Sequence, residues 1–78
     1  MQETPLKVTA YAGFRGEESP RAFLLNNANI EVRTVLDRWT EEMAETGERR
    51  RCFRVKGSDF RTHTLCYHEG TMAWVYRR

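Results

Sequence analysis

The stretch "CFRVKGSDFRTHTLCYH", Cys52–His68, decides how this chain is read. It holds both cysteines and both histidines, interleaved with Arg54, Lys56 and Arg61. A ligand cluster and a β-hairpin are the competing readings, and residue parity separates them. Phe53, Val55, Leu65 and Tyr67 all fall on odd numbers, the period of two of a half-buried strand. Paired positions must then sum to an even number. A three-residue loop, Ser58-Asp59-Phe60, sets Gly57 opposite Arg61, Val55 opposite His63, Phe53 opposite Leu65 and Cys52 opposite Cys66. His63 points inward beside Val55 and Tyr76. Cys52, Cys66 and His68 point outward with the basic residues.

That division argues against a metal site. The outward face gathers at most Cys52, Cys66 and His68, with no CxxC knuckle, where a structural zinc site takes four ligands. No metal and no cofactor is expected. Directly opposed cysteines lie within disulfide reach. The expected compartment is reducing, however, so free thiols are the expectation.

Outward from the hairpin, the chain continues as short strands punctuated by turn signals. "LKVTAYA" (6–12) alternates, "RAFLL" (21–25) follows a loop at 13–20, and "NNAN" (26–29) reads as a four-residue turn. That turn sets Leu25 opposite Ile30 and Phe23 opposite Val32. "IEVRTVLDRW" (30–39) is a long strand whose alternation slips between Val32 and Leu36, the mark of a bulge or bend. "TEEMAETGERR" (40–50) breaks the β pattern. Two readings of this stretch stand side by side: a helical turn near 40–46, begun by Thr40 and the acids behind it and stopped by Gly47, and a mobile loop. "EG" (69–70) reads as a two-residue turn, setting Tyr67 opposite Met72 and Leu65 opposite Trp74. Trp39, at a strand end, is expected to seal the base of a barrel, and Asp37 to cap the following turn. The sum is one domain over 1–78, all-β. Six short antiparallel strands form a small curled sheet or partly open barrel, with an SH3-like architecture favoured over an OB-like one.

Composition bounds the function. At 78 residues there is one core and no room for a cleft between lobes. Mean hydropathy is −0.73, yet nine aromatic residues (four Phe, three Tyr, two Trp) argue for a folded chain. The apolar runs, such as Ala22–Leu25, are far too short for a membrane span. The opening residues lack a basic region followed by an apolar run, so a cytoplasmic protein without membrane association is expected. Net charge is +2, but residues 1–48 sum to −4 and residues 49–78 to +6. Two patches that neutralise each other in the fold are the favoured explanation.

Cys66 with His68 is the one Cys–His pair close in sequence, and it lacks a cleft or an oxyanion-hole loop. Gly13, Gly16 and Gly57 form no phosphate-binding pattern. No catalytic residue is assigned, and an enzyme is a distant third reading. A non-catalytic protein-binding or regulatory module comes first, a monomer or weak homodimer, with Phe14, Arg15, Arg38 and Trp39 as candidate contacts. Nucleic-acid binding comes second, through Arg50, Arg54, Lys56 and Arg61 on the basic hairpin face. Exposed aromatics for base stacking would have to come from Phe60, Tyr11 or Phe14.

The motifs "YAGFRGEESPRAF" (11–23), "VLDRW" (35–39), "CFRVKGSDFR" (52–61) and "MAWVY" (72–76) resemble a family of small bacterial proteins of unassigned function. The likeness spans almost the whole chain. It implies an all-β cytoplasmic domain and carries over no functional residues. The chain departs from the family at the turn, where Asp59-Phe60 stands in place of Asp-Gly.

Overall fold

A computed structural model describes residues 3–12 and 18–78. Among them are seven strands and no helix: β1 (Glu3–Pro5), β2 (Lys7–Ala12), β3 (Glu18–Leu25), β4 (Ala28–Glu42), β5 (Arg49–Gly57), β6 (Thr62–His68) and β7 (Ala73–Arg77). Every pairing is antiparallel, in the order β1-β7-β6-β5-β4-β3-β2. Leu6 alone separates β1 from β2, yet the two strands lie at opposite ends of that order. One N-terminal segment therefore borders both edges, and the sheet curls into a half-barrel around the core. The Leu6 amide donates to the Trp74 carbonyl at 3.1 Å and ties the segment to β7. Six strands were expected. The additional one, β1, contains Pro5 and has no apolar alternation to mark it as a strand.

The core is Phe23, Ile30, Phe53, Val55, Leu65 and Trp74, with Val8, Val35, Tyr67 and Tyr76 packed against it. These are the inward parity positions of each strand. The central hairpin has the expected register throughout: Val55 faces His63, Phe53 faces Leu65 and Cys52 faces Cys66. The Gly57 amide donates to the Arg61 carbonyl at 2.9 Å, which closes the Ser58–Phe60 loop.

Both other turns differ from expectation by a shift of two residues. Asn26 and Asn27, at φ 50° and 65°, form a two-residue turn that sets Leu25 opposite Ala28 and Phe23 opposite Ile30. Paired positive φ values suit such hairpins because they match the twist of the flanking strands. At the other turn Met72 donates its amide to the His68 carbonyl at 2.8 Å, so four residues connect the strands. Tyr67 then faces Trp74, with ring centroids 5.1 Å apart, and Leu65 faces Tyr76. Two aromatics meet where the shorter turn would have matched Tyr67 with Met72, which is 76% exposed.

The expected helical turn near 40–46 is absent. β4 instead continues to Glu42 in register with β5: Glu41 faces Arg50 and Glu42 faces Arg49. The turn is closed by Met43 N–H donating to Glu48 O and Gly47 N–H donating to Met43 O, with Gly47 at φ 71°. Acidic β4 and basic β5 thus run side by side, and Arg54 reaches Asp37 across them at 3.7 Å. The expected irregularity in β4 consists of two bulges, one between Val32 and Thr34 and one between Val35 and Asp37.

Candidate interaction surface

The outer face of the hairpin differs most from expectation. It was expected to be open and solvated, with free thiols. Instead Cys52 and Cys66 are fully buried and joined as a disulfide, their Cα atoms 4.1 Å apart. Trp39 faces Cys52 from β4, and Val75 faces Cys66 from β7. Trp39 therefore lies on the disulfide side of the sheet, half-buried, and does not seal the core. Asp37 caps no turn. Its Oδ1 accepts from the Arg38 amide at 2.9 Å, and its Oδ2 lies 3.7 Å from Arg54.

An ion-pair network surrounds the disulfide. Arg77, with 11% of its side chain exposed, donates to Glu41 at 2.7 and 2.9 Å and to Glu3 at 2.8 and 3.1 Å. Trp39 Nε1 donates to Glu41 at 2.9 Å, and Arg50 donates to Glu3 at 3.4 Å. His68 Nε2 lies 3.8 Å from Glu3, within ion-pair range but without a hydrogen bond. These contacts join β1, β4, β5 and β7, which are far apart in sequence. The hydrogen bonds from Arg77 and Trp39 hold the Glu41 carboxyl down to about 2, from an ordinary 4.5. The same bond to Glu41 raises the Arg77 guanidinium further above its usual value.

The sign of the acid response follows. Between about pH 4.5 and pH 2 the unfolded chain holds a proton on Glu41 and the folded chain does not. Stability therefore falls as pH drops through that window. Urea melts at pH 5 and pH 2.5 are expected to show a larger loss for the parent than for Glu41→Gln, which has no proton to take up. Equal losses would contradict the network.

A second polar cluster fixes the hairpin tip. His63, 4% exposed, donates from Nε2 to Asp59 at 2.9 Å, and its Nδ1 is hydrogen-bonded with the Tyr76 hydroxyl at 2.9 Å. Desolvation pushes the Asp59 carboxyl up. The hydrogen bonds from His63 and the Arg61 amide outweigh it, and the carboxyl lies below its ordinary value. His63 is thus a satisfied core histidine that anchors the 58–60 loop. Among the described residues no group of His, Cys, Asp and Glu side chains is arranged to hold a metal ion.

The candidate nucleic-acid residues are divided by this arrangement. Arg50 belongs to the network around Glu3, and Arg54 lies beside Asp37. Lys56 and Arg61 are exposed and have no ion pair among the described residues. Phe60 is 84% exposed at the loop tip, at φ 65°. Of the candidate protein-binding residues, Phe14 and Arg15 lie outside the described residues, as does the side chain of Tyr11. Arg38 and Trp39 are adjacent on β4.

β4 also has a feature that its sequence did not announce. β3 pairs with it only over Ala28–Glu31, whereas β5 pairs with it from Val32 to Glu42. Among the described residues, no strand pairs with the far side of β4 beyond Glu31. The two strands diverge where β3 carries Pro20, opposite its own bulge against β2, and where β4 bulges at Arg33. An open wedge of about 580 Å³ lies between them, bounded by Pro20 and Ala22 on one side and Val32 and Val35 on the other. Beyond the second bulge, Asp37–Glu42 is a regular edge strand. Beside it a groove of about 340 Å³ is lined by Arg38, Thr40, Arg49, Arg51, Phe53 and Glu69, among others. Arg51 pairs with Glu69 at 3.3 Å. Among the described residues, neither Arg38 nor Arg49 has an ion-pair partner.

No helix of the described residues is long and apolar enough to cross a membrane. Searches of family models, of curated proteins and of solved structures each return no match to this chain.

Proposed function

We propose that this domain is a non-catalytic protein-binding module, and that it takes an extended segment of its partner as an added strand along Asp37–Glu42 of β4. The observation that carries the reading is the unpaired side of β4, a run of main-chain donors and acceptors with no partner among the described residues. Such an edge is a template for β-augmentation. Six residues of regular strand offer roughly 20 Å of ladder. Arg38 and Trp39, the two described candidates for protein contact, both lie on that segment. The meander connectivity supports an SH3-like small barrel over an OB-like one. The basic hairpin face is the weaker site, since Glu3 and Asp37 already engage two of its four cations.

Selection from a random-decapeptide display library, with the folded domain as bait, tests the reading. Enriched peptides are expected to bind through their backbone. N-methylation of alternate amides in one of the two frames should then abolish binding, while the other frame is tolerated. Peptides whose binding survives methylation in both frames would end the strand-addition account.

A further inference from the structure

Resting on that reading, we infer that the added strand is acidic, with carboxylates at alternate positions received by the groove of Arg38, Arg49 and Arg51. Three guanidinium groups border this groove against one carboxylate, Glu69, which already pairs with Arg51 at 3.3 Å. Arg38 and Arg49 have no ion-pair partner among the described residues. Several other charges of the β4–β5 hairpin are paired. Arg50 is engaged by Glu3, Arg54 by Asp37, and Glu41 by Arg77. Even with Glu42, which stands opposite Arg49 in the ladder, the groove side of the open edge keeps a net positive charge.

Register gives the spacing. Arg38 faces Phe53 and Thr40 faces Arg51, so positions 38 and 40 lie on the groove side of the sheet. A strand added next to β4, about 4.8 Å away, presents every second side chain to that side. Carboxylates at i and i+2 would then stand roughly 7 Å apart along the groove, within reach of the arginine forks. The planar guanidinium favours a carboxylate taken in bidentate fashion, and phosphate shares that geometry. Thr40, Trp39, Cys52 and Phe53 complete the lining. Trp39 is tied to Glu41 on the disulfide side and Phe53 packs on Trp74, so the two rings do not form the paired stacking platform that single-stranded nucleic acids use.

The same decapeptide selection, with a sequence readout, separates this inference from the strand-addition reading. Enriched peptides are expected to carry Asp or Glu at i and i+2. Replacing both by Gln, or making Arg38→Glu or Arg49→Glu in the domain, should weaken binding by about tenfold or more. Both arginines are exposed, so the variants should keep the parental melting temperature. Enriched peptides without acidic residues, still dependent on their own amides, would overturn the acidic inference and leave strand addition standing. A library yielding nothing would overturn both. Two further arms name other occupants. A labelled single-stranded oligonucleotide bound in an Arg49-dependent way, or concentration-dependent self-association removed by Arg38→Glu, would each assign the groove to something other than an acidic peptide.

Discussion

Gly57→Ala is expected to remove about 3 kcal/mol of stability, from overpacking together with a broken buried hydrogen bond. A Cβ at this position would stand 2.7 Å from Ile30 Cγ2, 2.6 Å from Asp59 Oδ1 and 3.2 Å from His63 Cδ2. The Asp59 carboxylate can swing aside, but only by leaving His63 Nε2 without its partner inside the core. Ile30 is 6% exposed and held between Phe23 and the hairpin, so it cannot retreat. A domain of this length is stable by roughly 4–12 kcal/mol, and a loss of 3 lowers its melting temperature by about 10–20 °C. Gly70→Ala is the control, because a Cβ there meets only Glu48 at 3.9 Å or more. Equal melting temperatures for the two variants would contradict the packing around Gly57.

Removing the disulfide is expected to cost a similar amount. Cys52 and Cys66 are separated by 14 positions. A loop of that size withdraws about 3 kcal/mol of freedom from the unfolded chain. The Cys52→Ala/Cys66→Ala double variant should therefore melt about 10–20 °C below the oxidised parent. The reduced parent should melt near the double variant. Because both sulfurs are fully buried, reduction has to wait for the hairpin to open. Its rate should rise steeply with denaturant. Identical melts for oxidised and reduced protein, with two thiols verified by mass, would contradict a stabilising bridge.

The sequence revealed the fold where a single strand's alternation was sufficient. Phe53, Val55, Leu65 and Tyr67 set the inward parity, and the Ser58–Phe60 loop then fixed every pair of the central hairpin. Elsewhere parity was blind. Both misjudged turns moved the pairing by two residues, which leaves every side chain on its own face. Only cross-strand partners such as Tyr67 with Trp74 distinguish the registers. The acids at 41 and 42 were misread for a related reason. They suit a helix N-terminus locally, but Glu41 is held by Arg77 and Trp39, and Glu42 stays in the ladder opposite Arg49. Acidic and basic halves that seemed unrelated along the chain turned out to be facing strands.

The candidate surface was legible in part. "VLDRW" identified Arg38 and Trp39, but nothing in that motif shows that β3 leaves β4 after Glu31. The open edge is a property of neighbouring strands, set by Pro20 and the bulge at Arg33. The basic residues at 50 and 54 seemed free because Glu3 lies 47 positions away from Arg50 and Asp37 belongs to another strand. Burial of the cysteines was hidden for the same reason. Long side chains on the network around Arg77 pack over a face that alternation alone assigns to solvent.

The central claim is that Asp37–Glu42 is an open edge that receives a partner strand. Amide hydrogen exchange along β4 tests it most directly, on the free domain and with a library-selected peptide. The amides of Asp37–Glu42 that face away from β5 should exchange fast in the free protein and slow by at least tenfold when the peptide is bound. Unchanged exchange over Asp37–Glu42, with new protection confined to the Lys56–Arg61 end of the basic hairpin, would contradict it.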